Sequence, residues 1–281
     1  MTRVLVTGGS GFIGRYLCER LRAEGHDVTI LDLVAPPWPS GDMRVVRGDI
    51  RDPVAVNDAM AGCDAMIHLA AAHHDFGIAE STYFDVNEGG ARVLCAAMDA
   101  GGVTEACFYS SVAVYGDAPE PRSEDTTPMP SAPYGASKLA GEAVFREWAG
   151  QGGGRSVLVI RPAVVFGPRN FANMYALIRQ IHSRFFLPIG EGSNIKSTAF
   201  VENLVAATMY LLARDDREPF DAYNYVDGPD LTSREICDAI TESLGRQPVR
   251  WSLPLPVALL LASPFDAVIR LTGRNLPISS A

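Results

Sequence analysis

Short apolar runs rich in β-branched residues recur through the first 160 or so positions, and most are followed by a stretch whose apolar residues repeat near every 3.6. RVLVTG (3–8), DVTILDL (27–33), MRVVRGD (43–49), AMIHLAA (65–71), ACFYSSV (106–112) and SVLVIRP (156–162) predict buried strands. CERLRAEG (18–25), PVAVNDAM (53–60), NEGGARVLCAAMDAG (87–101) and YGASKLAGEAVFREWAG (134–150) predict helices between them. Strand and helix in alternation imply an α/β fold, with a parallel sheet covered on both faces. Asp52-Pro53 supplies an N-cap followed by proline in the first helical turn. GQGGGR (150–155) reads as a surface connection, and the proline-rich 118–133 stretch is long enough to border a site. After Gly167 the alternation breaks down: helices MYALIRQI (174–181) and NLVAATMYLLA (203–213) mix with isolated strands around FLPIG (186–190) and AYNYVDG (222–228). The expected organisation is a first domain over 1–165 and a smaller, interleaved lid over 166–281, lying at the carboxyl edge of the sheet.

Composition narrows the classes. The chain has 281 residues, 47% of them hydrophobic and 20% charged, as in a soluble globular protein. A net charge of −9 argues against a nucleic-acid groove. The five cysteines, Cys18, Cys63, Cys95, Cys107 and Cys237, form no CxxC pair and sit in apolar stretches, so buried thiols are expected and a structural metal site is not. The N-terminus runs straight into a strand, with no pattern of a signal peptide. The longest apolar region, Leu253 to Leu271, is cut by Pro254, Pro256, Pro264 and Asp266. It reads as a buried helix pair or, alternatively, as a helix lying in a membrane interface.

Candidate chemistry begins at the first strand–helix junction, where TGGSGFIG (7–14) places glycines at 8, 11 and 14. In that context Gly8 makes the tight turn, Gly11 lets the backbone approach a diphosphate, and Gly14 lets the helix pack on the strand. The diphosphate would rest on the helix N-terminus. Asp32 ends the second strand, 18 residues after Gly14, where a carboxylate accepts from a ribose 2′-hydroxyl and repels a 2′-phosphate. NAD is therefore expected rather than NADP, with Arg15 the one nearby cation able to reach a phosphate. The doubly wound Rossmann arrangement is the fold that joins these features.

A hydride acceptor gives meaning to YGASK (134–138) and the serines of SSVAVYG (110–116). A phenol titrates near 10, too high for a base at neutral pH. An ammonium one turn away, with a positive nicotinamide ring, stabilises the phenolate. Tyr134 can then take a proton from a substrate hydroxyl, Ser111 can hold the same oxygen, and Lys138 can also bond the nicotinamide ribose.

With TGGSGFIG, GDIRD (48–52), HLAA (68–71), SSVAVYG, YGASK, RPAVVFGPR (161–169) and YNYVDGPDLTSREI (223–236), the chain resembles the extended short-chain dehydrogenase/reductase superfamily in its sugar-nucleotide epimerase branch. The resemblance covers nearly the whole chain. It implies that Ser111, Tyr134 and Lys138 are catalytic. It also implies a cofactor site including Phe12, Ile13, Leu69, Ser110, Tyr134 and Lys138, with Asp49 and Ile50 flanking the adenine, Ala70 and Ala71 on the ribose side and Pro162 near the nicotinamide. A homodimer through a four-helix interface containing the Tyr134 helix is implied as well.

Sugar dehydratases of this superfamily carry Asp-Glu directly after the catalytic serine or threonine, whereas Val112-Ala113 stand here. A net reductase would prefer NADPH, which Asp32 disfavours. Oxidation at carbon 4, rotation of the ketone and hydride return, with NAD recycled, is the expected reaction. The alternative is a dehydrogenase of hydroxysteroid-like apolar alcohols; a third reading, a non-catalytic NAD sensor, is disfavoured by the intact trio. A narrower resemblance, through 70–87, 169–181 and 189–204, is to bacterial O-antigen epimerases acting on undecaprenyl-diphosphate- or UDP-linked N-acetylglucosamine. It implies substrate roles for His73, Ser111, Arg169, Asn173 and Lys196, and matches the group also at Asp75 and Ser197. The chain departs from the group at Phe171-Ala172, where Arg-Gly is usual, and ends at NLPISSA, where relatives continue through a basic segment. Arg161, Arg169 and Lys196 are the cations available to a diphosphate, and Arg161 reads equally well as structural. The His73–His74 pair is either a ligand or a surface pair, and Asn87 is expected to bond backbone within its own helix. Packing is the expected role of Tyr115. A cytosolic location, with contact to the inner membrane face left open, follows from the same reading.

Overall fold

A computed structural model describes residues 2–73, 78–117, 120–183 and 186–260. His74 and Asp75 lie outside the described residues, as does the apolar region beyond Leu260.

The predicted strands form β1 (Arg3–Thr7), β2 (Asp27–Asp32), β3 (Arg44–Arg47), β4 (Ala65–His68), β5 (Glu105–Tyr109) and β6 (Ser156–Pro162). Short strands follow: β7 (Val164–Phe166), β8 (Ile195–Lys196), β9 (Thr198–Phe200), β10 (Phe220–Tyr225) and β11 (Leu231–Thr232). The helices are α1 (Phe12–Ala23), α2 (Pro53–Met60), α3 (Glu80–Phe84), α4 (Gly90–Gly101), α5 (Pro133–Gly150), α6 (Asn173–His182), α7 (Val201–Leu212) and α8 (Ser233–Ser243).

The main sheet has seven strands in the order β10-β6-β5-β4-β1-β2-β3, all parallel. Strand order reverses between β1 and β4, so the loops leaving these two strands flank the crevice in which doubly wound sheets bind ligands. Both faces are sealed, which is why the strands read as near-continuous apolar runs. On one face α2, α4 and α5 bury Met60, Leu94, Met98, Phe145 and Trp148 against Leu5, Met66 and Phe108; on the other, α1 and α7 bury Leu17, Leu21 and Leu204 against Val6, Ile30 and Ile160. Asp52 caps α2 by accepting the Val54 N–H.

The chain divides into two compact units, 1–169 with 198–227, and 170–197 with 228–281. The strand expected near 222–228 is β10, the edge partner of β6 in the main sheet, and α7 packs beside α1 on the same unit. In the second unit β8 pairs antiparallel with β11, and a capping box between Thr232 and Glu235 starts α8. The expected strand at FLPIG reduces to a single bridge between Ile189 and Leu253. Among the described residues no helix is long and apolar enough to cross a membrane.

Candidate active site

Gly8 follows β1 with φ +71, and a Cβ there would lie 2.6 Å from the Ala70 nitrogen. The turn after β1 and the loop after β4 thus touch backbone to backbone. A Cβ on Gly14 would lie 2.5 Å from the Gly8 carbonyl oxygen, so α1 starts tight against the turn. Gly11 caps α1 without a side-chain hydrogen bond, and no acidic residue occupies the first turn. The helix start keeps the open N–H groups and positive dipole that suit a diphosphate. At the end of β2, Asp32 accepts the Ser10 N–H at 3.1 Å and the Val34 N–H at 3.3 Å, which orients its carboxylate beside the glycine turn. Arg15 is paired with Glu19 at 2.8 Å and lies 5.8 Å from the Trp38 ring centre. These residues fit a dinucleotide with a free 2′-hydroxyl.

Asp49 is held by a forked contact from Arg51, which draws its carboxyl below the ordinary aspartate range. Ile50 is buried, and a Cβ on Gly90 would collide with its side chain. After β4, Leu69 and Ala70 hang from Thr7, whose hydroxyl is hydrogen-bonded to His68 Nδ1 at 2.6 Å. His68 is fully buried and stacks on Phe108; its Nε2 has no partner among the described residues. Burial first, and the Lys138 charge second, push this imidazole well below the usual histidine range. The folded protein therefore leaves His68 neutral where the unfolded chain binds a proton, and stability falls as pH drops below the ordinary histidine value near 6.5. The expected slope from this group is about 1.4 kcal/mol per pH unit. Thermal midpoints measured from pH 7 to 5 should fall less steeply in His68→Asn; parallel curves would discount the effect.

The helix before α4 contains a π-helical stretch, Asp85–Gly89. This bulge carries Asn87 at its centre, an insertion of the kind frequent at functional sites. Asn87 accepts the Ala72 N–H at 2.8 Å and donates to the Ala72 carbonyl at 3.1 Å and to Ser137 Oγ at 2.8 Å. The expectation of bonds within its own helix is thus corrected. Asn87 ties the loop after β4 to α5, because the bulge turns it away from its own backbone.

Tyr134 and Lys138 occupy the first turns of α5, and Ser137 between them donates to the Tyr134 carbonyl. Tyr134 meets Tyr83 edge to face at 6.4 Å between ring centres. Ser111 leaves β5 in extended backbone and accepts the Ala113 N–H at 3.1 Å, capping the 3-10 turn Val112–Tyr115. A Cβ on Gly135 would lie 2.3 Å from the Ala113 oxygen, so the Tyr134 and Ser111 segments are in direct backbone contact. Lys138 is 2% exposed, with Nζ 4.5 Å from the Phe108 ring centre. Burial pushes its ammonium down to about 7, and the Glu142 carboxylate pulls the other way.

Arg161 is corrected as a diphosphate candidate. It is 3% exposed, grips both Glu142 oxygens at 2.9 and 2.6 Å, and donates to Tyr115 Oη at 2.6 Å. Ser110 also donates to Glu142, and Tyr115 donates to Asn224 at 3.0 Å. Glu142 belongs to no motif, and its position four residues after Lys138 is the signal that the sequence carries for it. Pro162 ends β6 and is buried beside Arg161. His73 is exposed and within 3.2 Å of the Ala71 carbonyl. Arg169 is exposed, with φ +70, a left-handed backbone otherwise found only at glycines among the described residues. Asn173 and Lys196 are exposed in the second unit. The structure brings Ser111, Tyr134 and Lys138 onto adjoining segments of the first unit.

An acceptor cradle at the β1–β4 switch point, next to a serine, a tyrosine and a buried lysine, defines a dinucleotide-dependent enzyme of the short-chain dehydrogenase/reductase class. Residues 4–225 match the NAD dependent epimerase/dehydratase family, and the chain belongs to it as an NAD-dependent enzyme of the extended type. It is similar to N-acetyl-alpha-D-glucosaminyl-diphospho-ditrans,octacis-undecaprenol 4-epimerase of Escherichia coli O157:H7, with 37% identity over 99% of this chain and 83% of that one. It also resembles dTDP-glucose 4,6-dehydratase of Streptomyces niveus, with 31% identity over 86% of this chain and 78% of that one. Among solved structures, MoeE5 in complex with UDP-glucose and NAD is similar with TM-score 0.77 and 30% identity, covering 90% of this chain and 84% of that one.

Proposed function

We propose that the protein is a sugar 4-epimerase acting on a hexose such as N-acetylglucosamine carried on a diphosphate, with a polyprenyl carrier favoured over a nucleotide. The observation that carries this reading is the segment after Ser111. Elimination needs an acid beside the reacting sugar, and Val112 and Ala113 supply none, whereas the Ser111, Tyr134 and Lys138 arrangement is complete. Similarity to the E. coli undecaprenol-linked epimerase over 99% of the chain supports the carrier.

NAD, when bound, supplies the reversible oxidation of the sugar carbinol. Gly8, Gly11, Phe12, Ile13 and Gly14 would hold its diphosphate, Asp32 a ribose, and Asp49, Ile50, Leu69, Ala70, Ala71, Ser110 and Pro162 its remaining contacts. Tyr134 takes the proton from the carbon-4 hydroxyl and returns it after the sugar has turned over. Ser111 donates to the same oxygen, its own lone pair already aligned by the Ala113 N–H. Lys138 supplies the positive charge that favours the phenolate. His73, Arg169, Asn173 and Lys196 are assigned to the substrate on resemblance alone. A homodimer in the cytoplasm, meeting the membrane where its lipid-linked substrate resides, belongs to the same proposal.

The test compares carbon-4 epimerisation of undecaprenyl-diphosphate-N-acetylglucosamine with that of UDP-N-acetylglucosamine, using purified protein and NAD. Turnover of the lipid-linked sugar is the expected result. Turnover of the UDP-sugar alone would overturn the carrier, and steady net formation of NADH from an apolar alcohol would overturn the reaction.

A further inference from the structure

The ion pair between Glu142 and Arg161 is hard to explain as scaffold. Both side chains are almost wholly buried, at 3% and 4% exposure, and their nitrogen and oxygen approach to 2.6 Å. Two charges removed from water in this way seldom outdo well-packed apolar residues in stability, so a buried pair calls for another reason. Its location supplies one. Glu142 stands one helical turn beyond Lys138 on α5, just as Lys138 stands one turn beyond Tyr134, so the three fall on one face of the helix. The same carboxylate accepts from Ser110, the neighbour of Ser111, and from Arg161, the neighbour of Pro162.

We propose that Glu142 is a positioning residue for the reaction: its buried carboxylate, one helical turn beyond Lys138, keeps that lysine charged, and through Ser110 and Arg161 it ties the ends of β5 and β6 to the helix bearing it. The inference rests on the assignment of Tyr134 as the base.

Charge counting shows how this works. The groups about Lys138 are Glu142 on its own helix, Arg161 from β6 behind Glu142, His68 from β4 and the Phe108 ring from β5. His68 is neutral, so Lys138, Arg161 and Glu142 together carry one surplus positive charge. Ionisation of Tyr134 neutralises that surplus in a place where water screens little. Without the carboxylate, two cations share the interior. A guanidinium does not give up its proton, so Lys138 must. The remaining charge then sits on Arg161, farther along the chain of contacts from the phenol, and the phenolate loses its partner.

The experiment reads Tyr134 directly and needs no sugar. Tyrosinate absorbance is titrated against pH, with and without added NAD, in the wild type and in Glu142→Gln, each minus its own Tyr134→Phe counterpart. Glu142→Gln is expected to raise the pH of Tyr134 ionisation by about one unit or more, the size of effect that an opposite charge at close range exerts. A second variant, Glu142→Gln with Arg161→Met, removes both buried charges and should show a smaller shift in the same direction, since the repulsion from Arg161 goes too. An unchanged or lowered ionisation in folded Glu142→Gln overturns the proposal, and so does a folded double variant shifted as far as the single one. So does a double variant that fails to fold, because that would assign the pair to the scaffold. Failure of every sugar substrate would leave this titration intact, so the two readings fall separately.

Discussion

Tyr134→Phe is expected to lower carbon-4 epimerisation about 10²–10⁴-fold, the range usual for loss of a general acid–base group. That corresponds to roughly 3–5 kcal/mol of transition-state stabilisation. The substitution removes one oxygen and leaves the ring, with its edge-to-face contact to Tyr83, in place. The Tyr134 carbonyl that receives Ser137 is also untouched, so the link from Asn87 to α5 persists. NAD should therefore still co-purify with the variant or bind it with near wild-type affinity. The decisive measurement is the pair of values: rate of epimerisation and NAD retained. A variant with more than a tenth of the wild-type rate would show that another group moves the proton. A variant that loses NAD as well would make the rate uninformative about the base and place Tyr134 in the cofactor's support.

Gly8→Ala is expected to damage the turn that would cradle the cofactor. The backbone at Gly8 is left-handed, φ +71, which costs a residue with a Cβ about 1–2 kcal/mol. The added carbon would also lie 2.6 Å from the Ala70 nitrogen and 2.9 Å from the Leu69 carbonyl carbon, both backbone atoms that cannot rotate away. Relief requires the β1 turn and the β4 loop to part, and those two segments flank the crevice. The melting midpoint should fall by several degrees, since about 1 kcal/mol is worth roughly 2–4 °C in a protein of this size. NAD raises the midpoint of any protein that binds it only when folded. That increment should shrink by an amount equivalent to at least a tenfold weaker affinity, about 1.4 kcal/mol. Calorimetry of both proteins with and without NAD checks both parts. A variant that melts lower yet keeps the full NAD increment would sever the turn geometry from cofactor binding.

Much of the candidate site was legible without coordinates because its signals are local. Gly8, Gly11 and Gly14 stand at a strand–helix junction, Asp32 ends the next apolar run, and Tyr134 and Lys138 are one helical turn apart. Each of these is a statement about neighbours in the chain. Arg161 shows where locality stops: a cation at the end of an apolar run reads the same whether it faces a diphosphate or a buried glutamate. Only the packing of α5 across β6, which puts Glu142 within 2.6 Å, decides between them. Asn87 is similar, since the π-helical bulge that redirects its amide leaves no mark in the periodicity.

The sequence by itself determined the alternating parallel architecture, the glycine turn at the first strand–helix junction and the one-turn spacing of Tyr134 and Lys138, because apolar period, glycine turns and helical spacing act over a few residues. The tertiary structure alone decided that β10 completes the main sheet beside β6, that Asn87 joins the β4 loop to α5, and that Glu142 and Arg161 close a buried network behind Lys138. Those three features depend on pairings between segments 15 or more residues apart. Such pairings are chosen by burial and by satisfying polar groups removed from water, and these are properties of the folded whole.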